Sequence, residues 1–382
     1  MKTKLINVGL LLGTISLFVL LLEVFFRVTH LMGARPSWST PDPMIGFRFV
    51  PNHSYWHFNE NDHPISGNIN NFGWRDHDWT LEKPDGVYRV ALLGDSFIEA
   101  LQVELDSTFF QIAERSLNAL SGKKIEFMNF GRSGFTQSEQ LIVLKEDVLQ
   151  FSPDLVMLFF LPGNDVSDIN KQTASDQLRP FYSIDGENRL VLNTDFSESR
   201  EYKMKALLSP IKEKSALASL IAERYTMMRA VQRAEEINTE PADEKRISGV
   251  LSLCTNRPDS IYFQNYLLNK RLIEEINRTC VQNDVEFVLV GINSVYHKDE
   301  IVDHQAIDPS FKPGFFDDDL RHFSAVQGFD FVGLQKPFVG YYARTGKSLN
   351  WGHWNYQGHR LVAEVLSKYL SQKLMQAPAL AN

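Results

Sequence analysis

The chain has 382 residues, long enough for one large domain or two modest ones, and its 43% hydrophobic content can build a sizeable core. A formal net charge of −8 argues against nucleic acid as a partner, which would favour a basic face. The two cysteines, Cys254 and Cys280, are too few for a disulfide scaffold. With no Cys-x-x-Cys or Cys/His cluster, no metal and no cofactor are called for. The pair reads equally well as two buried thiols or as a bridge formed in an oxidising compartment.

The amino terminus carries the strongest compositional signal. After Lys2 and Lys4, an apolar run extends from Leu5 to Phe26. As a helix it covers about 33 Å at about 1.5 Å per residue, enough for a hydrocarbon layer of about 30 Å. Glu23 falls near the far end, where Arg27 one turn on shares its charge. The preceding lysines favour a cytoplasmic N-terminus and an exported remainder, which places the chain at the inner membrane facing the periplasm. No small-x-small cleavage site follows directly. Residues 1–32 are therefore expected to be an uncleaved anchor rather than a removed signal peptide.

Residues 33–86, rich in Pro, Asn, His and Trp, read as an extended arm with short strands such as Gly46–Val50. From Val87 the pattern becomes alternating strands and helices. Tyr88–Leu93 is a strand running into Gly94-Asp95-Ser96, and Thr108-x-x-Gln111 has the spacing of a capping box that opens a helix. Ile125–Phe130 is the second strand, Thr136-x-x-Glu139 caps the next helix, and Asp154–Leu161 is a third, wholly buried strand. The pattern lapses over about 167–258, read as an insertion. It contains a hairpin turning at Asp185-Gly186, a helix over Ser215–Ala234, and a solvated charge run over Glu235–Arg246. The alternation resumes with a helix over Ile261–Val281, strands over Val285–Ile292 and Phe329–Leu334, and a closing helix over Asn355–Leu374. The α/β unit thus spans 87–374, followed by a tail over 375–382. The order β-α-β-α-β predicts a parallel sheet with right-handed crossovers.

In open α/β sheets ligands bind beyond the carboxyl ends of the strands, where the loops converge. Four blocks should meet there: Gly94-Asp95-Ser96, the Asn129-to-Gly134 run, Gly163-Asn164-Asp165, and the His353-to-His359 run. Ester cleavage needs a nucleophile, a base and donors for the developing oxyanion. Ser96 fits the nucleophile and His353 the general base. The N–H groups of Ser96 and Gly134, with the Asn164 amide, fit an oxyanion hole. Asp95 and Asn355 read as structural residues, His359 as a supporting or exposed residue, and Trp351, Trp354 and Tyr356 as packing or sugar-facing aromatics.

These blocks resemble those of the SGNH/GDSL hydrolase superfamily, whose Ser, Gly, Asn and His map onto Ser96, Gly134, Asn164 and His353 across about 87–374. The amino-terminal part is also similar to that of membrane-tethered bacterial relatives. The resemblance implies a three-layer α/β/α sandwich, flavodoxin-like with a central parallel sheet, behind an N-terminal transmembrane helix. It also implies hydrolysis or transfer of acyl groups. From the chain's location and this likeness, small O-acyl groups such as O-acetyl esters of envelope or secreted polysaccharide are the expected substrates. One position departs from the family. The Asp usually found three residues before the histidine is Asn350 here, the candidate partner of His353. Three outcomes stay open: a Ser-His dyad, weak activity, or a substitute carboxylate from Asp299, Asp303 or the Asp317-to-Asp319 run. A non-catalytic carbohydrate-binding or assembly protein on the same fold is the alternative function.

Overall fold

The computed structural model describes residues 2–120, 124–237, 246–292 and 298–376. The chain opens with helix α1 (Lys2–Thr29), exposed along nearly its whole length. It is the one helix, among the described residues, long and apolar enough to cross a membrane. Two antiparallel hairpins follow, β1 (Ser39–Asp42) with β2 (Gly46–Phe49), and β3 (Ser54–Phe58) with β4 (Pro64–Asn68).

The α/β body runs β5 (Val87–Gly94), α2 (Ser96–Glu99), α3 (Phe109–Leu120), β6 (Lys124–Gly131), α4 (Gln137–Val143), β7 (Leu155–Phe160) and α5 (Pro162–Asp168). The insertion contributes hairpin β8 (Phe181–Ile184) with β9 (Leu190–Asn193), then helices α6 (Arg200–Lys212) and α7 (Ala216–Ile237). The body resumes with α8 (Ser260–Gln282), β10 (Glu286–Gly291), α9 (Lys298–Ile307), α10 (Phe315–Gln327), β11 (Asp330–Gly333), α11 (Gln335–Thr345) and α12 (Tyr356–Gln376). The charge run expected over Glu235–Arg246 lies largely outside the described residues.

The five body strands form one parallel sheet in the order β11-β10-β7-β5-β6. In sequence terms this is the 2-1-3-4-5 order of flavodoxin-like folds, with the topological switch between β5 and β7. Alternate residues of each strand point to opposite faces. Ala91, Leu93, Val156 and Leu158 join a core closed by α4, α8 and α10. Val90, Leu92, Leu155 and Met157 join a second core closed by α3, α11 and α12. Apolar residues thus run through both strand faces, giving the expected α/β/α sandwich with a parallel sheet.

Of the two capping boxes expected, one assembles. Thr136 and Glu139 form the anticipated capping box at α4. The Thr108 box does not assemble. The Thr108 hydroxyl donates to Leu105 O, and the Gln111 amide reaches the buried Asp76 instead.

The residues before β5 are built into the body. Trp74 and Trp79 are buried in the α4-side core, against Phe130 and Phe151. The buried Arg75 guanidinium donates to Glu99 O, Ala100 O and Val103 O, and Arg132 lies over the Trp74 ring. Cys254 and Cys280 are both buried free thiols. Burial pushes both up to about 12, which keeps them protonated and inert.

Candidate active site

Strand β5 ends at Gly94, and the chain turns at once into α2, with Ser96 as its first residue. Asp95 caps this helix, its Oδ1 accepting the Phe97 N–H at 3.0 Å. Two glycines allow the short helix to lie against the strand ends. A Cβ on Gly94 would meet Ile98 Cγ1 at 2.2 Å, and one on Gly131 would meet Ile98 Cβ at 2.5 Å. Ser96 is thereby held at the rim of the sheet beside the switch point. Its N–H is one of the orphan donors at a helix start.

His353 sits just before α12 in a tight loop, where Trp351 N donates to His353 O at 2.8 Å and Asn355 N to Leu349 O at 2.8 Å. Its Nε2 lies 2.7 Å from Ser96 Oγ. Its Nδ1 lies 2.5 Å from Oε1 of Glu60, in the turn between β3 and β4. That turn is fixed by Asn59. The Asn59 Oδ1 accepts the N–H groups of Asn61 and His63, while its Nδ2 donates to Gln102 O. Gly352, at φ +122°, lies beside the glutamate, and a Cβ there would sit 3.4 Å from Glu60 Cγ. The Phe97 ring packs against the imidazole with centroids 4.8 Å apart.

The orienting position therefore differs from expectation. Asn350 does not reach His353. Its backbone is tied up with Ser348 Oγ, and its Oδ1 is buried without a partner. Among the described side chains, the substitute carboxylate is also none of those proposed, and Asp318 is exposed. Asp303 is exposed, Asp319 pairs with Lys270 and the Tyr266 hydroxyl, and the Asp317 carboxyl crowds Gly291 and Gly333. The Asp299 side chain lies outside the described residues. Glu60 was missed because it comes from the arm, in an Asn-Glu-Asn-Asp turn with no local mark of chemistry.

The two other candidate donors are each tied to a neighbour of Ser96. Asn164, in the first turn of α5, donates from Nδ2 to Asp95 Oδ2 at 3.0 Å, leaving its second amide hydrogen free to point elsewhere. Gly134 follows Ser133, whose N–H donates to Glu99 Oε2 at 2.6 Å and whose hydroxyl donates to the same oxygen. Gly134 adopts φ +78°, a left-handed conformation that glycine tolerates best, and the space its missing Cβ would fill is open. Its carbonyl is held from behind by Arg179 Nη2 at 2.7 Å. Asp95 and Glu99, the residue before Ser96 and the last of α2, thus position the loops that carry Asn164 and Gly134.

Burial sets the charges beneath the site. It pushes Asp95 up to about 6, and it raises Glu99 and Asp165, the latter also feeling the charge of Asp95. His359, expected to be a supporting or exposed residue, is fully buried. Its Nδ1 accepts the Phe109 N–H at 3.2 Å, and burial pushes it down to about 3, so it stays neutral. Trp354 is buried against Phe97 and Phe109, while Tyr356 donates to Glu104 at 2.6 Å. Among the described residues no group of three or more His, Cys, Asp or Glu is gathered to hold a metal ion.

No model of a known protein family matches the chain, and no curated protein matches it in sequence. Solved structures do match. An acetyl xylan esterase, AlAXEase, is 12% identical over 74% of this chain and 99% of its own, with a TM-score of 0.41. A catalytic mutant of an acetylxylan esterase from Geobacillus stearothermophilus is 11% identical over 74% and 93%, with a TM-score of 0.39. A lipolytic protein of the G-D-S-L family from Desulfitobacterium hafniense is 11% identical over 73% and 98%, with a TM-score of 0.36. The structure sets Ser96 and His353 within hydrogen-bonding distance at the carboxyl edge of a flavodoxin-like parallel sheet.

Proposed function

We propose that the protein is a membrane-anchored serine esterase or O-acyltransferase acting on acyl esters. The observation that carries this reading is the hydrogen-bonded line Glu60–His353–Ser96, a carboxylate, an imidazole and a hydroxyl in sequence. Glu60 orients the imidazole by accepting from Nδ1, which leaves Nε2 unprotonated toward the serine, and it stabilises the imidazolium that forms. Ser96 Oγ attacks the acyl carbonyl carbon while its proton passes to His353 Nε2. The carbonyl oxygen becomes an oxyanion, held by the Ser96 and Gly134 N–H groups and the Asn164 amide. On collapse the ester C–O bond breaks, and the leaving alcohol takes the proton from His353. The acyl-serine is then attacked by water or an acceptor hydroxyl, whose proton goes to His353 and returns to Ser96 as the product acid or new ester departs.

The anchor reading rests on α1, with its lysines before the apolar run and an exposed surface along it. It sets the N-terminus in the cytoplasm and the α/β body in the periplasm. Small O-acyl groups on envelope or secreted polysaccharide suit that location. The non-catalytic alternative drew on Asn350, and Glu60 supplies the carboxylate whose absence motivated it.

The test is active-site labelling of the purified full chain with a fluorophosphonate, alongside hydrolysis of p-nitrophenyl acetate. Both should be present, and Ser96→Ala should abolish labelling and lower turnover by at least about 10³-fold. Folded protein that takes no label, or labelling that survives Ser96→Ala, would overturn the proposal.

A further inference from the structure

Helices α6 and α7 stand out from the body as a hairpin with an unusually apolar surface. On α6, Met204, Leu207, Leu208 and Ile211 recur at helical spacing and are all exposed, Leu207 by 72%. On α7, Ile221 is 62% exposed and Met227 59%, with Tyr225, Met228 and Val231 also exposed. Between the helices runs a groove of about 710 Å³, lined by Met204, Leu208, Ile211, Ala218, Ile221 and Tyr225. An exposed apolar face of this extent marks a site of contact rather than an ordinary solvated surface.

The position of the hairpin relative to α1 indicates what covers that face. The α6–α7 turn is fastened directly to the outer end of the anchor. Glu23 accepts from Ser215 Oγ at 2.7 Å, Ala216 N at 2.9 Å and Leu217 N at 3.0 Å, so a carboxylate of α1 caps the start of α7. Arg27 donates to Lys214 O, and Arg224 of α7 donates to Met32 O at 2.9 Å. Glu23 lies less than one helical turn inside Phe26, where the apolar run ends. Whatever depth that end of α1 takes in a bilayer, the first turn of α7 takes too. The composition of the hairpin matches this level. Between Arg200 and Arg233, eight basic residues accompany three acidic ones, so cationic side chains flank the apolar stripes. Apolar stripes bordered by Lys and Arg are the pattern of helices lying at a membrane interface.

We infer that the α6–α7 hairpin seats the protein on the outer leaflet of the membrane that α1 spans, its Met/Leu/Ile stripes among acyl chains and its basic residues at phosphate headgroups. This rests on the anchor reading of α1. It goes beyond a tether, because a body held at two points is fixed in orientation and height above the bilayer.

The experiment uses the full chain in nanodiscs of phosphatidylcholine and phosphatidylglycerol. Single cysteines introduced as Ser16→Cys, Leu207→Cys, Ile221→Cys and Val326→Cys carry a nitrobenzoxadiazole label. The native thiols, both buried, remain in place, and the unsubstituted chain sets the background. Ser16 reports on the anchor, and Val326, an exposed apolar residue of α10, reports on a solvated surface. Labels at 207 and 221 should emit to the blue of the label at 326 and be quenched by doxyl-labelled lipid at least about twofold more strongly. Quenching at 16 with labels at 207 and 221 behaving like 326 would overturn the seating and leave the anchor standing. No quenching at 16 would overturn both. Shielding of 207 and 221 from aqueous quencher without lipid quenching, growing with protein concentration, would assign the face to a second copy and overturn the proposal.

Discussion

Glu60 and His353 lie 293 positions apart in the chain and meet with Oε1 and Nδ1 separated by 2.5 Å. Replacing the carboxylate by an amide removes the charge that stabilises an imidazolium and presents an NH₂ that can select the other tautomer. Glu60→Gln is expected to lower kcat by about 10²- to 10⁴-fold with KM little changed, the scale for such a change in a Ser-His-carboxylate line. Asn350→Ala should lower it by less than about tenfold. Steady-state kinetics on a p-nitrophenyl ester checks both, and the opposite ranking would return the orienting role to Asn350.

Asn164 tests the oxyanion assignment. Its amide is aimed by Asp95, so truncation removes a donor without touching Ser96 or His353. Asn164→Ala should cost about 10² to 10³ in kcat. Labelling by fluorophosphonate should be slowed to a similar degree. A loss confined to KM would mean that the amide holds substrate rather than the developing charge.

Asp76 should leave a signature in stability against pH. It is fully buried beneath β6, where it accepts the N–H groups of Asn129 and His77, and burial pushes it from 3.8 up to about 7. Between these values the unfolded chain has lost the proton and the folded chain keeps it. The resulting stability is complete below about pH 4 and is lost as pH rises toward 7. Asp95, raised for the same reason, adds to the slope over the lower part of this window, up to about pH 6. Thermal unfolding should show Tm falling by a few degrees over this window, with a flatter profile in Asp76→Asn. An unchanged slope in the variant would show that Asp76 titrates normally.

Arg75 measures how firmly the residues before β5 belong to the body. Its guanidinium satisfies three carbonyls around the end of α2 and the Tyr55 hydroxyl. Arg75→Ala takes a buried donor from each of these acceptors, with an expected loss of about 3 kcal/mol in denaturant unfolding. A loss below about 1 kcal/mol would mean that water replaces the side chain without strain.

Much of the sheet was legible because its central strands are continuous apolar runs. Leu155–Phe160 is buried at every position, which only a strand covered on both faces requires. Three of the loop blocks were legible for a related reason, since short polar runs directly after such strands must lie at the rim, whereas the block holding His353 leads into α12. Glu60 was not, because its role depends on a tertiary contact with a loop near the other end of the chain. Helix α6 was hidden by Pro210 in its last turn, which reads as a breaker although the helix accommodates it. The Thr108 box failed through competition, since a buried carboxylate at Asp76 is a stronger claimant for the Gln111 amide than a helix terminus.

The origin of the acid in the β3–β4 turn also changes how relatives of this chain should be judged. In the proposed catalytic line the order along the polypeptide is acid, nucleophile, base: Glu60, Ser96, His353. A homologue assessed only at the place three residues ahead of its histidine would be dismissed as a dead copy. An acidic residue in a hairpin upstream of its Gly-Asp-Ser turn, together with a small residue at the place of Gly352, is the signature that would reinstate it.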